Sequence, residues 1–364
     1  MSRTTPPSTV DRRTFLQTVA AIGGGALATA CAQRVPAFAG SSGAMTSLAG
    51  LRDQIGLQLF TVRDRFPTDY AGTLQAVAKI GYKQVQPTMS YGGKSPAEVK
   101  AILDQNGLTA ATTHVSPPFG ADFERALDEY ASMGHRYTTV RVDTEGRGGG
   151  ARSERPAGAA AGATGATPGA AAPAAPATGA AAADAPRTPR PPAPPQTLDG
   201  VKRTANALNE AGRITQKHGI KVIVHNHTVE FTPLADSSQR PYDVLLAETD
   251  PSLVAMELDI GWAAVAGQKA LDLFKQAPGR FEVWHVKDIA GLAALSGLSS
   301  QAERQRAAKI VPLGEGEIDY RPIFAQATLA GMKHFYVEQD SAPQSGDSLA
   351  AAATSYRNLA KLLV

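Results

Sequence analysis

From Ile55 to the end of the chain, short apolar runs alternate with amphipathic segments of helical spacing, always in the same order, and this repeat constrains the fold more than any other feature. Ile55–Phe60 reads as a strand, and Tyr70–Ile80 as a helix with Leu74, Val77 and Ala78 on one face and Gly81 as its stop. Tyr82–Pro87 is the second strand. Ser95 then caps a helix, with Glu98 completing a capping box, and Asn106-Gly107 stops it. Leu108–His114 is a strand, Phe123–Met133 a helix stopped by Gly134, and Tyr137–Val142 the fourth strand. After an interruption the alternation resumes. Helix 197–218, capped by Thr197 and stopped by Gly219, leads into the strand Lys221–His227. The further strands are Leu253–Asp259, Phe281–Val286 and His334–Glu338; the further helices are Tyr242–Thr249, Leu271–Gln276, Ile318–Ala330 and Ser348–Leu363. Eight βα units running one way predict an α/β fold, a single-domain (β/α)8 barrel. An open doubly wound sheet is the weaker choice, because no Gly-rich phosphate loop follows the first strand.

Two stretches fall outside this pattern. The chain has 364 residues. Removing the N-terminus to Ser47 and an Ala/Pro/Gly-rich block at 145–196 leaves about 260–270 residues, the usual size of one such barrel. The block has too little apolar area to offset its ordering entropy and reads as a disordered insertion between the fourth strand and its helix. The expected organisation is therefore an export segment at 1–39, a linker at 40–54 and the interrupted barrel at 55–364. Formal charge is only +3, and many of the excess arginines sit in the two excluded stretches, so no basic face for nucleic acid is expected. Cys31 is the sole cysteine. Any metal in the barrel must then be held by His, Asp and Glu.

Asp11-Arg12-Arg13-Thr14-Phe15-Leu16-Gln17, followed by the apolar run Thr18–Ala30, resembles a twin-arginine export signal. The run is short and rich in Gly and Ala, which fits a signal core better than a membrane span. Ala37-Phe38-Ala39 is a small-x-small cleavage site and predicts a soluble, periplasmic mature chain. Ala28-Thr29-Ala30-Cys31 is a partial lipobox, the alternative, which would anchor the chain by lipid at Cys31.

Polar residues gather at the C-terminal ends of the strands, where barrels of this kind carry their chemistry. The fifth strand ends in His225-Asn226-His227, with Glu230 beyond; the sixth in Glu257-Leu258-Asp259, then Trp262; the seventh in His285-Val286-Lys287-Asp288; the eighth in Glu338-Gln339-Asp340. The third ends in His114, and the first carries Gln58 with Arg63 after it. Period-two alternation lets His225 and His227 face inward together and puts Glu257 and Asp259 on one face. Carboxylates mixed with imidazole suit a divalent ion such as Mn, Co, Zn or Mg. His135, His218 and His334 lie away from the predicted mouth and read as structural.

Gly56-Leu57-Gln58-Leu59-Phe60-Thr61-Val62-Arg63-Asp64, His114-Val115-Ser116, His225-Asn226-His227 with Glu230-Phe231, Glu257-Leu258-Asp259-Ile260-Gly261-Trp262, His285-Val286-Lys287-Asp288, Gly314-Glu315-Gly316 and Val337-Glu338-Gln339-Asp340 together resemble the sugar phosphate isomerase/epimerase (xylose isomerase-like) family over most of 55–364. The resemblance implies one divalent metal in the barrel mouth, with Asp259, His285 and Glu338 as three ligands. The strand-five ligand of that family is usually Glu; here His225 stands in its place and Glu230 a few residues later, so the fourth ligand stays open between them. Gln86 stands where relatives often carry Glu. The resemblance further implies proton transfer next to a carbonyl through an enediolate held on the metal. Glu338, His227 and Glu230 are candidates for moving the proton, and Lys287 for stabilising negative charge. Gln58, Arg63, His114, Glu257 and Trp262 would line the substrate site. A homodimer is a further implication.

The function expected on these grounds is a metal-dependent isomerase or epimerase of a sugar or keto-sugar. A lyase or dehydratase acting on a 3-keto-glycoside or inosose-like substrate by the same intermediate is the first alternative, and a non-catalytic exported sugar-binding barrel the second. Export favours unphosphorylated small-molecule polyols as partners, with no nucleic acid and no membrane span in the mature chain.

Overall fold

A computed structural model of the chain describes residues 48–118, 120–142 and 196–364. The segment expected to direct export, with Cys31, and all but the last residue of the 145–196 insert lie outside the described residues. Ten strands follow in order: β1 (Gly56–Gln58), β2 (Gln84–Gln86), β3 (Thr112–Thr113), β4 (Tyr137–Thr138), β5 (Lys221–His225), β6 (Val254–Asp259), β7 (Val283–Val286), β8 (Asp288–Ala290), β9 (Lys309–Val311) and β10 (His334–Val337). Eight of them pair in parallel in the order β2-β1-β10-β7-β6-β5-β4-β3. The two ends of this sheet meet: Gln84 bridges Thr109, the Val85 N–H donates to the Thr109 carbonyl at 2.8 Å, and the His114 N–H donates to that of Pro87 at 2.7 Å. The result is the expected single-domain (β/α)8 barrel, nearly closed.

Strand alternation divides the side chains into two sets. Those pointing outward, among them Val222, Val254, Met256, Leu258, Trp284, Val286, Phe335 and Val337, pack under the surrounding helices in the main core. Those pointing inward begin with an apolar floor of Tyr137, Ile223, Ala255, Val283 and Tyr336. Two residues further along each strand, the inward positions turn polar: His225 above Ile223, Glu257 above Ala255, His285 above Val283, Glu338 above Tyr336. Gly56 belongs to this packing, since a Cβ there would come within 2.5 Å of the Tyr336 ring.

Helices form where capping and periodicity predict. Ser95 and Glu98 make both bonds of their capping box on Pro96–Gln105, and Thr197 caps Leu198–Thr215 through its side chain. Several paired strands are shorter than their apolar runs. Leu108 and Ala110 are buried, yet the named strand there is only Thr112–Thr113. A hydrophobic run reports burial, and the ladder covers only part of it. Ile318–Ala330, expected to contain a helix, holds two short ones, Tyr320–Phe324 and Ala327–Ala330.

The sequence pattern gave no sign of the antiparallel hairpin β8–β9, inserted after β7. Its anchor is Asp288, which is 2% exposed. Its carboxylate accepts backbone N–H groups of Ile289 (2.9 Å), Gly314 (2.9 Å), Gly316 (3.0 Å) and Ile318 (3.2 Å). This accounts for Gly314-Glu315-Gly316: a Cβ on residue 316 would run into that carboxylate. Asp288→Ala strands these donors in a buried place and should lower unfolding free energy by about 3 kcal/mol in urea titration; an unchanged midpoint would refute the anchoring role.

Of the three histidines outside the polar layer, His218 meets Asp128 at 2.7 Å on the surface, and the other two are shielded from water. His135 Nδ1 meets the Ala110 carbonyl at 2.5 Å and its Nε2 the Tyr91 hydroxyl at 3.0 Å, while His334 Nδ1 meets Gln84 Oε1 at 2.8 Å. Burial pushes both down to about 4. The unfolded chain protonates each near its ordinary pKa of about 6.5, the native chain only near 4. Their stabilisation is full above that upper value and is lost as pH falls through the window. With His225, which burial pushes down to the same value, we expect the unfolding free energy to drop by up to about 4 kcal/mol per pH unit there, and His135→Gln to remove roughly a third of the slope. Equilibrium unfolding at stepped pH measures it, and a flat profile would contradict the buried neutral pair.

Candidate metal centre

At the C-terminal ends of β6, β7 and β10, Asp259 Oδ2, His285 Nδ1 and Glu338 Oε2 converge within 4.8 Å of one another, all buried. Parallel register delivers them: Asp259 pairs with His285, and Val286, one residue after His285, pairs with Val337, one before Glu338. Asp259 also caps the helix Ile260–Val265, its Oδ1 accepting the Trp262 N–H at 2.7 Å, which leaves Oδ2 for the mouth. Asn226 pins the same residue from β5, accepting the Asp259 N–H at 3.0 Å and donating to its carbonyl at 3.2 Å.

Lys287 stands beside this group. Its ammonium is 2.9 Å from Asp259 Oδ2, 3.2 Å from Glu338 Oε2 and 2.6 Å from Asp340 Oδ2. Burial works against its charge, but Asp259, Glu338 and Asp340 outweigh burial and raise its pKa. Lys287 is thus a fixed cation. The carboxyls respond unequally. Burial opposes the ionised form of Asp259 and Glu338, yet Lys287 and His285 hold both below the usual range. Asp340 is pushed up, by burial and by Glu338 and Asp259, against the pull of Lys287. His285 is raised well above its ordinary value because Glu257 and Glu338 outweigh burial.

These residues fit a divalent ion. Asp259 and Glu338 face the Lys287 ammonium and the His285 ring in a dry place, and a divalent ion can take the place of the ring's proton between them. Asp259 Oδ2, His285 Nδ1 and Glu338 Oε2 are buried without an aligned hydrogen-bond partner, although charged groups lie near. Two carboxylate oxygens and one imidazole nitrogen form a mixed donor set for Zn, Mn, Co or Mg.

The other expected site residues divide. His225 falls outside the Asp259–His285–Glu338 group and instead joins His114, Glu257 and one nitrogen of His285 in a second cluster. Its Nδ1 is 3.3 Å from Glu257 Oε2, and burial pushes it down to about 4. Glu230 is turned away: its Oε2 accepts the His227 N–H at 2.7 Å, closing the turn after β5. His227 is exposed at the rim, with ring centroids 4.9 Å from His225 and 6.1 Å from Trp262. Trp262 is buried among Val265, Ile289 and Leu295, with the Lys287 ammonium 4.9 Å from its ring centroid.

Three positions expected to line the substrate site are occupied otherwise. Gln58 is buried and uses Oε1 to accept the Phe60 N–H at 2.7 Å, capping the turn Leu59–Arg65. Arg63 lies 3.7 Å over the Phe60 ring and donates to the Phe60 and Asp340 carbonyls at 2.8 and 3.1 Å, tying that turn to the end of β10. Glu257 is wholly buried beneath the mouth. Gln86, a departure noted in the sequence, proves central: its Nε2 donates to Glu257 Oε1 at 2.5 Å, and its Oε1 lies 2.6 Å from His285 Nε2. Two glutamines flanking Val85 in a buried strand were the available signal. Asp340 had only its place at a strand end.

The comparisons agree with this architecture. The family model described as xylose isomerase-like TIM barrel matches residues 74–361. An inosose dehydratase of Lactiplantibacillus plantarum is 27% identical over 162 residues, 43% of this chain and 52% of the relative. The chain spans about half the length of the curated relatives it matches. Among solved structures, a sugar phosphate isomerase/epimerase from Parabacteroides distasonis superposes with a TM-score of 0.56 at 19% identity, covering 87% of this chain and 94% of that one. A xylose isomerase-like TIM barrel protein from Mycobacterium smegmatis in complex with magnesium gives 0.50 at 15% identity, covering 85% and 96%. With eight parallel strands closing around a polar mouth and a family match across most of its length, the chain belongs to the xylose isomerase-like TIM-barrel family.

Proposed function

We propose that the chain is a metal-dependent enzyme that removes the proton next to the carbonyl of a polyhydroxylated ketone, and that it completes the reaction by eliminating water. The observation that carries the reading is the buried convergence of Asp259, His285 and Glu338 beside Lys287. The choice of elimination over isomerisation or epimerisation draws on the matched relatives, which bear the name inosose dehydratase. Asp259, His285 and Glu338 would hold the ion. When bound, it polarises a carbonyl oxygen and so acidifies the adjacent C–H.

The chain's own groups account for the rest. Lys287 cannot serve as a base, because its carboxylate neighbours keep it protonated. It contributes a fixed positive charge against which negative charge on a substrate oxygen can develop. His227 is the group we assign to moving the proton. It is exposed at the mouth, its backbone is held by Glu230, and its ring lies beside Trp262. The wall around Lys287 is apolar on the Trp262 side, which restricts water where charge develops. An unphosphorylated substrate, met after export through the segment containing Arg12-Arg13, completes the proposal.

The test is exchange of the substrate α-hydrogen in deuterated water, with a keto-cyclitol (inosose) and a keto-sugar as substrates, followed by NMR and by ultraviolet detection of the unsaturated product. Exchange with loss of water is expected for the keto-cyclitol. Exchange with epimer and no dehydrated product would select the isomerase reading, and no exchange with either would remove the enzyme reading. Asp259→Ala/His285→Ala should lose the divalent ion held by this group, one ion fewer by elemental analysis, and lower exchange at least about 100-fold.

His227→Ala should keep the ion and lower kcat by about 100-fold or more with little change in KM. Unchanged kcat would remove His227 from proton transfer.

A further inference from the structure

The second cluster differs from the first in its charge balance. Glu257 is wholly buried, and its ion-pair contacts are with the imidazoles of His114, His225 and His285. The ammonium of Lys287 is committed to Asp259, Glu338 and Asp340. A buried carboxylate among imidazoles can take its counter-charge from their protons or from a metal ion that replaces those protons.

Gln86 decides where that charge can sit. Its amide nitrogen donates to Glu257 Oε1, a carboxylate oxygen that can only accept, so its own Oε1 faces His285 and takes the Nε2–H of that ring. This commits the Nδ1 lone pair of His285 to the side of Asp259 and Glu338, where Nδ1 lies 2.8 Å from Glu338 Oε2. His285 is thereby assigned to the first group, and Gln86 separates the two. What remains on the far side is Glu257 Oε2, in contact with His114 Nε2 and 3.3 Å from His225 Nδ1. His225 Nδ1 is buried and has no aligned hydrogen-bond partner. His114 and His225 are themselves only half-buried, so the cluster opens toward the mouth.

We propose that His114 Nε2, His225 Nδ1 and Glu257 Oε2 form a second divalent-cation site, distinct from the one at Asp259, His285 and Glu338. Two imidazole nitrogens and one carboxylate oxygen select a borderline ion, Zn or Co, over Mg. Three protein donors leave a coordination position for water or for an oxygen of the substrate. The site stands on its own residues and does not require the dehydratase reading.

The experiment is zinc stoichiometry of the full chain after chelator stripping and reloading with Zn(II), by elemental analysis, with the fold of each variant checked by circular dichroism. Two ions per chain are expected. His114→Gln/His225→Gln should retain one, and Asp259→Asn/Glu338→Gln should retain the other. If the histidine variant fails to fold, Glu257→Gln, which keeps shape and removes charge, replaces it with the same expected loss of one ion. Co(II) loading gives a second readout: the visible bands should fall into two sets, each abolished by one variant. One ion per chain, lost with Asp259 and Glu338 but indifferent to His114, His225 and Glu257, would overturn the second site and leave the first standing. One ion lost only with the histidines would support this site and overturn the ligand set used in the functional proposal. A chain that binds no Zn(II) would overturn both.

Discussion

Parallel register between β5, β6, β7 and β10 is the constraint on which the rest of the molecule depends. His225 sits beside Glu257, and Asp259 beside His285, because those residues are ladder partners. A slip of one residue would send every one of these groups into the helix layer and bring Val224, Leu258 and Val286 into the mouth. The apolar floor of Ile223, Ala255, Val283 and Tyr336 supports that register, since a one-residue slip would turn these side chains out of the barrel centre. The packing that makes the barrel stable is therefore the same packing that aims its polar layer.

That polar layer is expensive to maintain. Asp259, Glu257, His285 and Lys287 are each at most 1% exposed. Buried ion pairs return little net stability in general. Their retention here makes sense as electrostatic preparation: Lys287 and the His285 ring answer Asp259, Glu338 and Glu257, and a bound cation can replace the imidazole proton in that balance. The upward push on Asp340 belongs to the same balance.

The barrel was legible because its signals are local and repeated: caps at Ser95 and Thr197, stops at Gly81, Gly134 and Gly219, and inward polar residues at successive strand ends. The convergence of Asp259, His285 and Glu338 follows from the same periodicity. What the sequence did not convey was choice among neighbours. His225 and Glu230 both lay near the mouth, but a backbone N–H takes up Glu230, while β5 carries His225 inward beside Glu257. Gln58 and Arg63 read as substrate contacts, yet their partners are carbonyls and an N–H of their own turn and of residue 340. Such bonds depend on backbone groups, which residue identity does not report. The β8–β9 hairpin escaped notice for a related reason: its anchor is one carboxylate meeting several amides across a gap of more than twenty residues.

That hairpin also reaches the residues around the mouth. It carries the helix Gln301–Ala307, whose Gln305 accepts from the Thr228 hydroxyl at 2.7 Å, beside His227. From the other side of the mouth, the Ser341 hydroxyl donates to the Ile310 carbonyl at 2.7 Å, close to Asp340. Its Ile289 and Leu295 form the wall behind Trp262. One insertion thus joins the loops after β5, β6 and β10, the last two of which border Lys287. Asp288 anchors this insertion and neighbours Lys287 in sequence, so hairpin and ammonium share one stretch of backbone. The roof of the mouth and the barrel therefore meet at Lys287, whose backbone N–H and carbonyl are both held by the Tyr320 hydroxyl, at 2.9 and 2.7 Å.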